Sequence, residues 1–108
     1  MNSLHELLFK ALWEQQSDIA LQTEYRFDGV RKWRFDFAHV ESKTAIEIEG
    51  KPWGGRHTRG AGFIKDCAKY FAANAQGWLV IRLIPAMVTP HSVETVKSII
   101  AKRAACKK

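Results

Sequence analysis

The chain has 108 residues, 46% hydrophobic and 11% aromatic, enough for one compact core and no second lobe. That composition excludes an intrinsically disordered chain, and no apolar stretch reaches membrane-spanning length. The net charge of +6 invites a nucleic-acid partner, even after discounting Lys97, Lys102, Arg103, Lys107 and Lys108, which also suit a helix C-terminus and solubility. No basic segment followed by an apolar run marks a signal peptide. Cys67 and Cys106 lack metal or redox spacing, so they read as reduced thiols in a cytoplasmic protein.

Ser3-Leu4-His5-Glu6 has capping-box form, and Leu4, Leu7, Leu8, Ala11 and Leu12 follow at helical spacing. A first helix is expected over about residues 3–15. Leu21 to Phe27 reads as a first strand closed by an Asp28-Gly29 turn, and Lys32 to His39 as a second. Glu41-Ser42-Lys43 makes a hairpin turn into a third strand, Thr44 to Glu49. Residues 50–62 hold five of the seven glycines and read as a long loop, of the kind that carries function. Phe63 to Ala75 is a second helix with Phe63, Cys67, Tyr70 and Phe71 on its apolar stripe and Gly77 as C-cap. Trp78 to Ile84 is almost continuously apolar, the sign of a central strand buried on both faces. Ser92 is the expected cap of a last helix through about Arg103. The order α-β-β-β-α-β-α predicts one domain over residues 1–108, with a mixed four-stranded sheet: an antiparallel meander plus a strand reached by a crossover.

Three acids stand out. In Arg34-Phe35-Asp36-Phe37 and Ala45-Ile46-Glu47-Ile48-Glu49 charged and apolar residues alternate, which places Phe35 and Phe37 on one face with Asp36 opposite. Ile46 and Ile48 go to the core, and Glu47 and Glu49 share the other face. Such a cluster repels itself unless a cation sits among the acids, and oxygen ligands suit Mg²⁺ or Mn²⁺. Bland alternatives exist for each: Asp36 pairing with Arg34 or Lys43, Glu49 solvated at the loop, and Glu6 acting only in the capping box. Cations surround the acids, with Arg31, Lys32 and Arg34 before them and Arg56, His57 and Arg59 after. A glycine-rich backbone lets the latter approach phosphates. On the second helix Lys65, Asp66, Lys69 and Tyr70 form either exposed ion pairs or, for Lys69 above all, a cation aimed at the acids. His5, His39 and His91 read as surface residues.

Asp36, followed after ten residues by Glu47-Ile48-Glu49-Gly50, resembles the PD-(D/E)XK nuclease superfamily. GGRHTRGAGFIKDCAKY (54–70) and GWLVIRL (77–83) are similar to small phage and bacterial proteins related to very-short-patch-repair and resolvase-like endonucleases. The likeness covers roughly residues 3–84. It implies a restriction-endonuclease-like α-β-β-β-α-β core, Mg²⁺ (or Mn²⁺) on Asp36, Glu47 and the Ile48 carbonyl with help from Glu6, and cleavage of DNA, with RNA as the alternative. The superfamily lysine is expected two residues after the acid, where this chain has Glu49. Lys69 is the first substitute and Lys51 the second. On this reading Glu49 orients water or a second ion, Lys69 and His57 offset transition-state charge, and Arg56, Arg59, Lys51, Arg34 and Lys65 contact the nucleic acid. One active site per subunit means that cutting both strands needs a dimer or two encounters. The likeness also implies a bacterial or phage-infected cell. The competing class is a non-catalytic nucleic-acid-binding module that kept the fold, and a blander one is a basic structural protein with solvated acids.

Overall fold

The computed structural model describes residues 3–50 and 60–106. Its elements are α1 (Leu4–Gln16), β1 (Gln22–Arg26), β2 (Arg34–His39), β3 (Thr44–Ile48), α2 (Gly60–Ala75), β4 (Leu79–Leu83) and α3 (Pro90–Ala105), with a 3-10 turn at Pro85–Met87. The expected α+β order and mixed four-stranded sheet are observed.

Helix ends follow local chemistry. Ser3 caps α1, its Oγ accepting the Glu6 N–H at 3.1 Å. The cap of α3 is Thr89 rather than Ser92: Thr89 Oγ1 accepts the Ser92 N–H at 3.2 Å, and Pro90 occupies the first helical position, where no N–H is needed. Ser92 is thus the third residue of the helix, three places past its cap. Helix α2 starts at Gly60, so Gly60, Ala61 and Gly62, expected in the loop, belong to it; residues 51–59 of that expected loop lie outside the described residues. It ends in a Schellman motif around Gly77, whose φ of +86° suits glycine; Trp78 N–H bonds to Ala73 O and Gly77 N–H to Asn74 O.

The strand order is β1-β2-β3-β4, antiparallel for the first two pairs and parallel for β3–β4, with Thr44 opposite Leu79 and Ile48 opposite Leu83. This overturns the expected central position of the apolar run 78–84. β2 and β3 occupy the interior with β1 at one edge, and every residue of β3 is buried. β4 adds in parallel on the outer side of β3 and becomes the other edge strand, with Leu79 and Arg82 exposed. Its apolar content covers the faces it shares with the helices, where Leu83 is buried.

One face of the sheet packs on α1 and α3 through Phe9, Trp13, Phe37, Ile46, Ile48, Leu83, Val93, Val96 and Ile100. The other packs Phe27, Phe35, Ala38, Ala45 and Trp78 with Ala73 of α2. Phe35 and Phe37 therefore lie on opposite faces, contrary to the simple alternation expected. The sheet rolls between them, at the level of Asp36. Helix α2 buries only Ala73, and Phe63, Cys67 and Phe71 of its expected core stripe are exposed. Its contact with the sheet is made by Ala72 and Ala73 and by the half-buried Lys69 and Tyr70. His39, expected at the surface, is half-buried and bonds through Nδ1 to Ser42 Oγ at 2.8 Å.

Opposite the acids, Arg103 of α3 ties two turns together. Its Nε donates to Ser42 O at 2.9 Å and its Nη2 to Lys43 O (3.2 Å) and Gly77 O (2.9 Å). Bonds from a charged donor are worth about 1.5–3 kcal/mol each where well shielded, less where water reaches them. Arg103→Ala is expected to lower stability by about 2 kcal/mol in chemical denaturation, and Arg103→Lys to recover little because one ammonium cannot reach three carbonyls.

Candidate active site

The paired positions of β2 and β3 end at Phe37 and Ile46. One step further, where the register puts Asp36 opposite Glu47, the side chain of Asp36 takes the ladder position instead: Oδ2 accepts the Ile48 N–H at 2.8 Å. On the other side of β2, Thr23 pairs with Phe37 and Tyr25 with Phe35, so Glu24 lies directly opposite Asp36. Glu24 adopts φ +51°, a left-handed conformation that costs an L residue about 1 kcal/mol or more. This is where both strands roll, and the strain sits on an acid facing an acid.

Helix α1 completes the group. One carboxylate oxygen from each of Glu6, Glu24 and Asp36 lies within 4.8 Å of the others. Burial pushes the Asp36 carboxyl up to about 7 against the opposing Ile48 N–H, with repulsion from Glu6, Glu47 and Glu24 adding to it. Burial, then the Glu24 charge, also raises Glu6. Three hard oxygen donors converging from three elements fit a divalent cation such as Mg²⁺ or Mn²⁺.

Glu47 takes a different part. It is buried on the α2 side of β3, where Lys69 Nζ donates to Oε2 at 2.6 Å and Tyr70 OH donates to Oε1. Burial and the adjacent Glu47 charge hold the Tyr70 phenol far above its ordinary range, so it stays a donor. The Lys69 ammonium also lies 5.8 Å over the Phe35 ring. Glu49 shares this face, as its alternation with Ile48 predicts, and accepts Arg82 Nε at 2.9 Å. The Arg82 guanidinium sits 4.8 Å over the Tyr70 ring and is held charged first by its bond to Glu49.

The structure thus brings Asp36 and Glu6 together and places Glu47 beside them with its carboxylate engaged by α2. Ile48 contributes its N–H to Asp36. Arg34 lies 3.5 Å from Glu24, and Lys65 is exposed on α2. Lys51, Arg56, His57 and Arg59 lie outside the described residues. Glu24 escaped the sequence reading. Its signal was the hairpin register: a turn centred on residue 30 puts residue 24 opposite residue 36.

The fold of the chain is similar to that of a solved structure, the homing endonuclease I-Bth0305I catalytic domain, at a TM-score of 0.60 and 22% identity, with 94% of each chain covered. The chain has that domain's fold. No family model matches it, and no curated protein does.

Proposed function

We propose that the chain is a divalent-metal-dependent endonuclease hydrolysing DNA phosphodiester bonds, a single PD-(D/E)XK-type domain acting in the cytoplasm. The observation that carries this reading is the convergence of Glu6, Glu24 and Asp36 beside the Glu47–Lys69 pair. The fold shared with a homing endonuclease catalytic domain supports it.

Asp36, Glu6 and Glu24 would hold Mg²⁺ or Mn²⁺, which supplies a Lewis acid and a bound water of lowered pKa. Around that ion the chain's own groups have separate tasks. The Ile48 N–H fixes the rotamer of Asp36. Glu47 and Tyr70 orient the Lys69 ammonium, the substitute for the lysine displaced by Glu49, so that it offsets charge developing on the phosphate. Arg82 neutralises Glu49 and keeps a second negative charge from facing the substrate. On sequence grounds His57 is assigned, with Lys69, to offsetting transition-state charge, and Arg56, Arg59, Lys51, Arg34 and Lys65 are assigned to the nucleic acid. One site per chain nicks; scission of both strands requires two copies or two encounters.

A second reading, a nucleic-acid-binding module without catalysis, draws on Glu47 being already satisfied by Lys69 and Tyr70. Incubation with plasmid, single-stranded and branched DNA, in Mg²⁺, Mn²⁺ or EDTA, separates the two. Metal-dependent nicking is expected, lost in Asp36→Ala, with apparent metal affinity weakened about 10–100-fold in Glu24→Gln. Binding without cleavage on any substrate would leave the module.

A further inference from the structure

Beyond the acids the β1–β2 ribbon carries a cationic tip that neither the core nor the metal-binding group uses. Arg26 stands directly opposite Arg34, an arrangement that is destabilising on a two-stranded ribbon unless an anion lies against it. Arg34 shares Glu24 at 3.5 Å, whereas no described residue pairs with Arg26. Past this pair, residues 27–33 form a built loop. Asp28 Oδ2 accepts the N–H groups of Val30 (3.1 Å) and Arg31 (2.7 Å), and Oδ1 accepts Gln76 Nε2 at 3.0 Å. Those backbone bonds, chiefly that from Arg31, hold the Asp28 carboxyl below its usual range, so the one acid of the loop is turned to internal duty.

Under the loop Phe27 stacks on Phe35 at 4.2 Å and on Trp33 at 6.2 Å, and the Arg31 guanidinium lies 5.1 Å over Trp33. A tip so supported holds its shape. At its apex Val30 is 87% exposed, with Arg31 and Lys32 exposed beside it. An exposed apolar apex followed by two cations is costly in water and is suited to apolar contact with base edges in a groove.

Two features decide what partner fits. At about 3.3 Å per residue the apex lies within about 20 Å of Asp36, about half a turn of duplex. A two-stranded ribbon also fits a major groove about 12 Å wide. Single strands bind instead by stacking on open aromatic faces, and here Phe27 and Phe35 are buried and Trp33 is covered by Arg31.

We infer that the β1–β2 ribbon is a duplex-binding arm, in which Arg26, Arg31 and Lys32 hold backbone phosphates and Val30 enters a groove. Its placement of DNA over the acids rests on the nuclease reading; the binding itself does not. The test is fluorescence anisotropy in EDTA across a salt series, on a labelled duplex and on its single strand. Wild type is compared with Arg31→Gln/Lys32→Gln, Val30→Ser, and Lys32→Gln alone, which disturbs none of the bonds that shape the tip. Expected are a wild-type preference for duplex and a salt slope lower by about 1.8 in the double variant, about 0.9 for each phosphate contact. Lys32→Gln lowers the slope by about 0.9, and Val30→Ser weakens duplex binding with the slope unchanged. Unchanged slopes and affinities, or equal losses on single strand and duplex, overturn the arm. A parallel nicking assay keeps the two ideas apart. Cleavage with no arm effect sinks only the arm, and an arm-dependent slope without cleavage in any metal sinks only the nuclease.

Discussion

Asp36→Asn is expected to raise the thermal unfolding midpoint at pH 8 while abolishing metal-dependent nicking. The carboxyl titrates at about 7 in the folded chain against an ordinary value of 3.8. A raised carboxyl favours the protonated form in the fold. Its contribution is fully present below about pH 3.8 and is lost as pH rises through about 7. Asparagine keeps an oxygen for the Ile48 N–H and removes the charge that faces Glu6, Glu24 and Glu47. Each unit of displacement is worth about 1.4 kcal/mol, but Asp36 is partly open to water, and screening reduces the gain to about 1–2 kcal/mol. That corresponds to about 5–10 °C at pH 8, vanishing near pH 4. Mg²⁺ should then stabilise wild type, by binding the folded state, and leave the variant unmoved. A variant whose advantage did not depend on pH, or one that Mg²⁺ still stabilised, would remove Asp36 from the metal-binding group.

Lys69→Met has the second large effect, and there stability and chemistry should part company. Removing the ammonium leaves a buried Glu47 with only Tyr70, a loss of about 3 kcal/mol by analogy with other broken buried pairs. Adding Glu47→Gln neutralises the orphan and should restore most of that loss in chemical denaturation. Nicking should not return. If Lys69 offsets charge at phosphorus, its absence costs about 10²–10³ in rate whatever the stability. Activity that recovered together with stability in the double variant would make Lys69 a structural partner only.

The order of elements was legible because its signals are local: the Ser3 cap, the leucine periodicity of α1, the turn residues and the Gly77 stop. The acids on β2 and β3 were legible for the same reason, since each interrupts an apolar alternation. Three things were not. Face assignment failed at Phe35, because a left-handed residue on the neighbouring strand rolls the ribbon, and no rule of period two carries that information. The place of β4 failed because an apolar run reports how much is buried, not by which neighbours. Glu24 failed because a glutamate on a half-exposed strand is ordinary until the register places it opposite Asp36.

The edge position of β4 has a bearing on solubility. Leu79-Val80-Ile81-Arg82-Leu83 has the composition that templates strand addition between molecules, and no described strand covers its outer side. Arg82 is the one charge in that run. Its bond to Glu49 and its stacking on Tyr70 hold it in place, a gatekeeper against self-association as much as a neighbour of the acids. The residue that quiets Glu49 also keeps one copy of the sheet from extending into the next.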